Sequence, residues 1–336
     1  MSSNDKGTVH VTIQELHRRM SVAFIRAGLS AEAASHAADS LTEAECAGKK
    51  THGLLRVEYV YFETIRKKPG PVKVEREGPS FLGLDGGRHM AYHPGVISIE
   101  KGTRIAEGSG LCLVGVRNAG HSGMLGFYAR RIAKAGYWGL VMAHCMPLMA
   151  PHGGASPVFG TNPVALGVPR EYHRPLVIDF SPSAVTFGSV MASREAGLQI
   201  PSGCGLDKNG RPTTDPSAIM NGGTLLPAAG PKGSALALMV QLLCGPLIGA
   251  APIPEKATDY GLCFFIIHPG LFHDPAMTFE GVDTILSAVT GCPPAVGFDR
   301  VRFPGEASNR AIEEAEKNGL EVDQKLWEKA GELAGY

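Results

Sequence analysis

The chain has 336 residues, enough for one large or two ordinary domains with real cores, and 44% of them are apolar, as in soluble globular proteins. Lysine plus arginine and aspartate plus glutamate number 32 each, which gives no electrostatic case for nucleic acid or an anionic membrane as a partner. Seven scattered cysteines without a CxxC pair, a polar Met1–His10 and no apolar run long enough to span a bilayer point to a reduced, cytoplasmic protein.

In chain order, residues 11–28 read as a helix, with Leu16, Met20, Phe24 and Ile25 near helical spacing and Gly28 as a stop. Ser30 is the expected N-cap of a second, alanine-rich helix over 31–47, ended by Gly48. A third is expected from Thr51 to about Lys68, before Pro69-Gly70. From Pro79 the pattern becomes mixed. Strands are expected over 81–87, 110–116, 138–143, 176–180 and 263–267, and helices over 96–107, 125–135, 235–245, 307–318 and 323–333. No GxGxxG follows a strand, and no Walker A, HExxH or GxSxG motif is present.

Several short motifs carry chemistry. In Thr51-His52-Gly53-Leu54-Leu55-Arg56, a helical spacing of four places His52 and Arg56 on one face. An imidazole moves protons near neutrality, a guanidinium grips a carboxylate with two parallel hydrogen bonds, and Thr51 is placed to orient the ring. The same residues also suit a solvated helix start. His121, Ser122 and Gly123 follow an apolar strand and open a helix, where backbone N–H groups attract anions. Thr161 lies in the Gly160-Thr161-Asn162-Pro163 turn, and Pro231-Lys232 precedes an apolar helix whose start suits a phosphate. Asp179 ends a strand, and Pro304-Gly305-Glu306 forms another turn before a helix. His144 and His152 flank an apolar turn without a carboxylate or cysteine at metal-ligand spacing, so no metal is expected.

The ordered set THG…R, RNxxH, PxGG…FGTNP, IDFSxS, IPxGxGxDxxGxPTTDP, GxKGxxL and RxPGE resembles the malate/L-lactate/L-sulfolactate dehydrogenase family, over residues 10–333. That family also holds ureidoglycolate dehydrogenase, diketogulonate reductase and the Δ1-piperideine-2-carboxylate/Δ1-pyrroline-2-carboxylate reductases. The stretch 198–243 looks most like the last group. The resemblance implies an α/β (α+β) fold: a non-Rossmann cofactor domain on a mostly antiparallel sheet, over 76–305, and a helical domain from both chain ends, 1–75 with 306–336. It implies a homodimer and NADPH as cofactor, with NADH also admitted.

It also implies roles. His52 matches the proton donor and Thr51 its supporting hydroxyl; Arg56 matches the substrate-carboxylate arginine and Thr161 a substrate contact. His121, Ser122, Gly123, Met124, Leu125, Asp179, Phe180, Ser181, Pro231, Lys232, Pro304, Gly305 and Glu306 match cofactor contacts. Ser189 stands where the imine reductases have an aspartate that supports the histidine and where oxo-acid members often have lysine. The activity implied is reduction of a cyclic 2-imino acid to the L-amino acid. Oxidation of a malate- or lactate-like 2-hydroxy acid, or a catalytically silent binding protein of the same fold, are the alternatives.

Overall fold

The computed structural model of the chain describes residues 7–336. It opens with a short strand, β1 (Thr8–Val11), followed by α1 (Ile13–Arg26) and α2 (Ala31–Cys46). The first helix is shorter than expected because Thr12 caps it: the Thr12 hydroxyl accepts from Glu15 N, and the Glu15 carboxylate accepts from Thr12 N. Ser30 caps α2, accepting from Ala33 N. The small buried side chains Ala33, Ala34, Ala37, Ala38 and Ala44 let neighbouring helices approach α2 closely.

The expected helix over 51–68 is broken. Two 3-10 turns, Lys50–His52 and Leu54–Arg56, precede α3 (Val57–Lys67). Gly53 separates them with φ −101° and ψ −131°, outside the helical region. A Cβ at this position would fall 2.5 Å from Glu45 Cγ, so only glycine fits over that carboxylate. His52 and Arg56 therefore do not share the face of one α-helix.

The middle of the chain contributes β2 (Lys73–Gly78), β3 (Phe81–Asp85), α4 (Tyr92–Ser109), β4 (Leu111–Ala119), α5 (Leu125–Lys134), β5 (Trp138–Ala143), β6 (Val164–Val168) and β7 (Leu176–Phe180). Next come α6 (Phe187–Glu195), β8 (Gly205–Leu206), α7 (Pro216–Met220), β9 (Thr224–Leu225), α8 (Pro231–Cys244), β10 (Tyr260–Ile267) and α9 (Pro275–Thr290). The last elements are α10 (Glu306–Asn318), β11 (Leu320–Asp323) and α11 (Gln324–Ala334). Seven strands form one sheet in the order β2-β3-β4-β10-β5-β6-β7. Only β3 and β4 run parallel; every other neighbouring pair is antiparallel. This is a mixed α/β fold on a mostly antiparallel sheet, and it accounts for the missing GxGxxG.

Both faces of the sheet are covered. Phe264 and Ile266 of β10 pack with Val96 and Ile99 of α4 and Tyr128 and Ile132 of α5. Cys263, pointing the other way by strand alternation, packs with Val240 and Cys244 of α8. The segment 231–248 has the length and mean hydropathy (1.3) of a membrane span. Its helix nevertheless lies on β5 and β10 as a sheet-covering element. A separate core joins the two ends of the described chain. β1 pairs antiparallel with β11, and Leu16, Met20 and Phe24 pack with Val322 and Ala330.

Candidate active site

The site is built around the two 3-10 turns. Leu54 N donates to Glu45 Oε1 at 2.8 Å, and this buried carboxylate of α2 fixes the turn from below. Burial raises the Glu45 pKa, opposed by the Leu54 hydrogen bond and by the Lys50 charge. Above it, Thr51 Oγ1 and His52 Nδ1 lie 3.1 Å apart. Arg56 Nε donates to Thr51 O at 2.8 Å, which holds the guanidinium against the same turn. Among the described residues the terminal nitrogens of Arg56 make no hydrogen bond, so the two-pronged end of the fork is available to a carboxylate.

His52 stacks on His121 with ring centroids 6.2 Å apart, and Tyr59 meets His121 edge-on at 5.9 Å. The His52 pKa is pushed down to about 4 by burial, then by the Arg56 and Lys49 charges. That of His121 lies well below its ordinary value, again by burial first, then by Arg56, His52 and Lys67. Both rings are neutral at pH 7. His121 Nδ1 accepts from Gly123 N at 3.1 Å, so its proton sits on Nε2. At Gly123, with φ +68°, a Cβ would fall 2.6 Å from Tyr92, so this loop also requires glycine.

A cleft of about 420 Å³ opens between the 3-10 turns, α3 and α6, lined by Thr51, Leu55, Arg56, Glu58, Tyr59, Phe62, Glu63, Gly188, Met191, Ala192 and Glu195. Arg56 is the one cationic side chain in this lining, against three carboxylates. Arg66 hydrogen-bonds Glu63 and holds its carboxyl below the usual range.

The expected cofactor residues lie on four turns that meet along β7 and its exit. Gly126 N, at the start of α5 beside Met124 and Leu125, donates to Asp179 Oδ2 at 2.8 Å. Ala228 N donates to Pro182 O at 2.7 Å, which ties the Phe180-Ser181 exit to the Pro231-Lys232 turn. Gly305, between Pro304 and Glu306, packs on the Val177 backbone. Among the described residues, two buried polar atoms at these turns have no partner: the Tyr92 hydroxyl beneath Gly123, and Glu306 Oε2. Exposed Lys232 adds a charge. Glycine-lined backbone, helix starts and the orphaned Tyr92 hydroxyl fit the phosphates of a dinucleotide, and the acceptor Glu306 Oε2 suits a ribose hydroxyl.

Two expected residues are placed differently. Ser189 sits in the first turn of α6, exposed, with its hydroxyl 2.8 Å from Thr186 Oγ1; among the described residues it makes no hydrogen bond to His52. Thr186 is the N-cap of α6, and this local cap occupies the Ser189 side chain. Thr161 is not in the lining of the cleft, and neither is the His52 ring, although its neighbour Thr51 is. Thr161 lies against Cys145, whose thiol is raised by burial and lowered by hydrogen bonds from Thr161. His144 has both ring nitrogens on backbone, Nε2 at 2.8 Å from Ala251 O and Nδ1 accepting from Gly261 N at 3.0 Å. His152 is exposed beside Gly230.

Sequence reasoning passed over Glu45, Tyr59 and Lys67. The Lys67 ammonium is buried, donates to Ala257 O at 2.8 Å and pairs with Glu63 at 3.4 Å, under the His121 loop. Glu45 is one of four acidic residues in α2, with Glu32, Asp39 and Glu43, and nothing in the sequence sets it apart; for Tyr59 the signal was a position one turn beyond Arg56.

The sequence profile of the malate/L-lactate dehydrogenase family matches residues 11–330. The chain belongs to this family. It is thereby an NAD(P)-dependent oxidoreductase. It is 34% identical over 324 residues to a malate/(S)-sulfolactate dehydrogenase of Methanothermus fervidus, covering 91% of this chain and 92% of that protein. It is 30% identical over 349 residues to a Δ1-pyrroline-2-carboxylate/Δ1-piperideine-2-carboxylate reductase of Pseudomonas putida, with both chains covered in full (100%). The crystal structure of the Δ1-piperideine-2-carboxylate reductase of Pseudomonas syringae pvar. tomato superposes with a TM-score of 0.86 at 28% identity, covering 97% of this chain and 100% of that one. The family thus spans oxo-acid and imine chemistry, and the cleft of this member has to discriminate between them.

Proposed function

We propose that this family member reduces a cyclic 2-imino acid of the Δ1-pyrroline-2-carboxylate or Δ1-piperideine-2-carboxylate type to the L-amino acid, with NADPH. The observation that carries the reading is the lining of the cleft: Arg56 is its one cation, facing Glu58 and Glu195, while Glu63 is already paired with Arg66 and Lys67, beside apolar Leu55, Phe62 and Met191. One substrate carboxylate is accommodated on the free end of the Arg56 fork. A second anionic group would face the carboxylates, at a cost of about 1–4 kcal/mol for a charge pair near a protein surface. A cyclic imino acid presents one carboxylate, an apolar ring and a nitrogen that can carry positive charge.

The neutral state of His52 supports the same substrate. Reduction of a ketone needs an acid to protonate the oxygen. An iminium already carries its proton, and the bound nicotinamide supplies the hydride. Arg56 orients the carboxylate and with it the neighbouring C=N, and the Thr51-His52 pair moves protons to and from the product amine.

The same neutral imidazole also admits a second reading. A neutral imidazole is a ready base for a hydroxyl proton, which suits oxidation of a 2-hydroxy acid. The test is a substrate panel with NADPH and NADH, following cofactor oxidation by absorbance. Under the imine reading, kcat/KM for the two cyclic imines exceeds that for oxaloacetate and pyruvate by at least about 10-fold. Faster oxaloacetate reduction would sink it. Saturable cofactor binding without turnover of any acid would favour a silent protein.

A further inference from the structure

We propose that Glu32, His36 and His93 form a binding site for a divalent transition-metal cation of the zinc type, away from the cleft, which clasps α2 to α4. One ligand atom from each of the three converges so that all lie within 4.8 Å of one another. His36 Nδ1 and His93 Nδ1 are already 3.0 Å apart. Ligand atoms bound to tetrahedral zinc at about 2.0–2.1 Å are separated by roughly 3.3 Å, so small side-chain rotations complete the geometry.

The sequence builds this arrangement from two elements. Glu32 and His36 are four residues apart in the first turns of α2, on one face. His93 is the second residue of α4, which packs against α2. His36 is buried and His93 half-buried, while Glu32 reaches the surface, so an ion has a route in. His89 lies tilted against His93, at 5.0 Å between centroids, with its Nε2 held by Gly70 O at 2.9 Å.

The surroundings favour a cation. The charged groups that act on His36 are Glu100, Glu32 and Asp39, against the single guanidinium of Arg131. Burial keeps both imidazoles neutral, the form that ligates. Without an ion, one Nδ1–H is shared between the two rings. Binding moves that proton to Nε2 of the same ring, so both Nδ1 lone pairs face the metal and no net proton is released. Two imidazoles and a carboxylate are a donor set suited to Zn²⁺, with Co²⁺ as a spectroscopic substitute.

The experiment titrates the metal-stripped full chain with Zn²⁺ by calorimetry and with Co²⁺ by absorption, beside His36→Ala, His93→Gln and Glu32→Gln. The expected result is one ion per chain with Kd at or below about 10 μM, weakened at least about 10-fold in both histidine variants and less in Glu32→Gln. Zn²⁺ raises the melting temperature of the parent and not of the histidine variants. The Co²⁺ spectrum shows no thiolate charge transfer, which separates this site from exposed Cys292. Absence of binding up to about 100 μM overturns the proposal. So does a thiolate signature, or undiminished binding in His93→Gln, whose half-buried position and melting curve keep the test valid if His36→Ala fails to fold.

Discussion

The two stacked histidines are held in opposite ways. His121 is fixed by backbone: Gly123 N fills its Nδ1, and Ala91 N takes its carbonyl. Its proton is confined to Nε2. His52 has only the Thr51 hydroxyl at Nδ1, and a hydroxyl can donate or accept. The His52 tautomer can therefore change during a reaction while that of His121 cannot. Burial and sequence context look alike at the two positions, so on the proposed reading what suits His52 and not His121 to carry a proton is the partner of one nitrogen.

The sharpest way to break this contrast is to remove the carrier. His52→Ala should lower kcat by about 10²–10⁴-fold, while cofactor affinity, measured by fluorescence titration, stays within about twofold. Near-normal turnover would take His52 out of the mechanism. Glu45→Ala tests the support beneath it. It strands the Leu54 N–H in a buried place, so unfolding free energy should fall by about 1–3 kcal/mol and kcat with it. Glu45→Gln, which keeps an acceptor, should recover most of both; equal damage from the two variants would show that charge matters rather than the hydrogen bond.

A subtler measurement is the pH profile. Because the folded-state pKa of His52 is near 4, below its ordinary 6.5, the unfolded chain binds more protons between these values. The stabilisation from keeping His52 neutral is full above about pH 6.5 and is lost as pH falls toward 4. His89, also pushed to about 4, adds in the same sense. Thermal melts from pH 7 to pH 4 should show a falling Tm, and His52→Ala should flatten part of that fall. The smallest effect is expected from Thr51→Ala, a loss of about 10-fold in kcat, with Thr51→Ser near normal. A Thr51→Ala enzyme at full rate would mean that solvent can orient His52 unaided.

Much of this was legible in the chain. Ser30 and Gly28 signal helix ends through side-chain and backbone chemistry that acts within a few residues, whereas the pattern over 11–28 passes over the Thr12 cap and begins the first helix too early. The strands over 111–119 and 138–143 are apolar because both sheet faces are covered. β2, with its Lys-Val-Glu-Arg-Glu-Gly sequence, is an exposed edge and carries no apolar alternation to read. β1 and β11 are strands only because they find each other across the whole fold. At the site, the motif order singled out residues that the fold brings near one another, but helical spacing misplaced His52 and Arg56. Gly53 was the available signal, and its meaning depends on Glu45, which approaches from another helix. Ser189 was misjudged because a local hydroxyl cap at Thr186 competes for its side chain, an interaction no motif comparison displays.

The pairing of Val9 with Val322 has a kinetic consequence. The core under the turn that carries His52 includes Leu54 and Val57 together with Val322 and Ala330. Contacts so far apart in sequence close only after the intervening chain has condensed, because a loop of that length must lose its entropy before the pairing rewards it. The sheet can therefore assemble while the turn that carries His52 is still loose. In a refolding reaction, recovery of cofactor binding should run ahead of recovery of turnover.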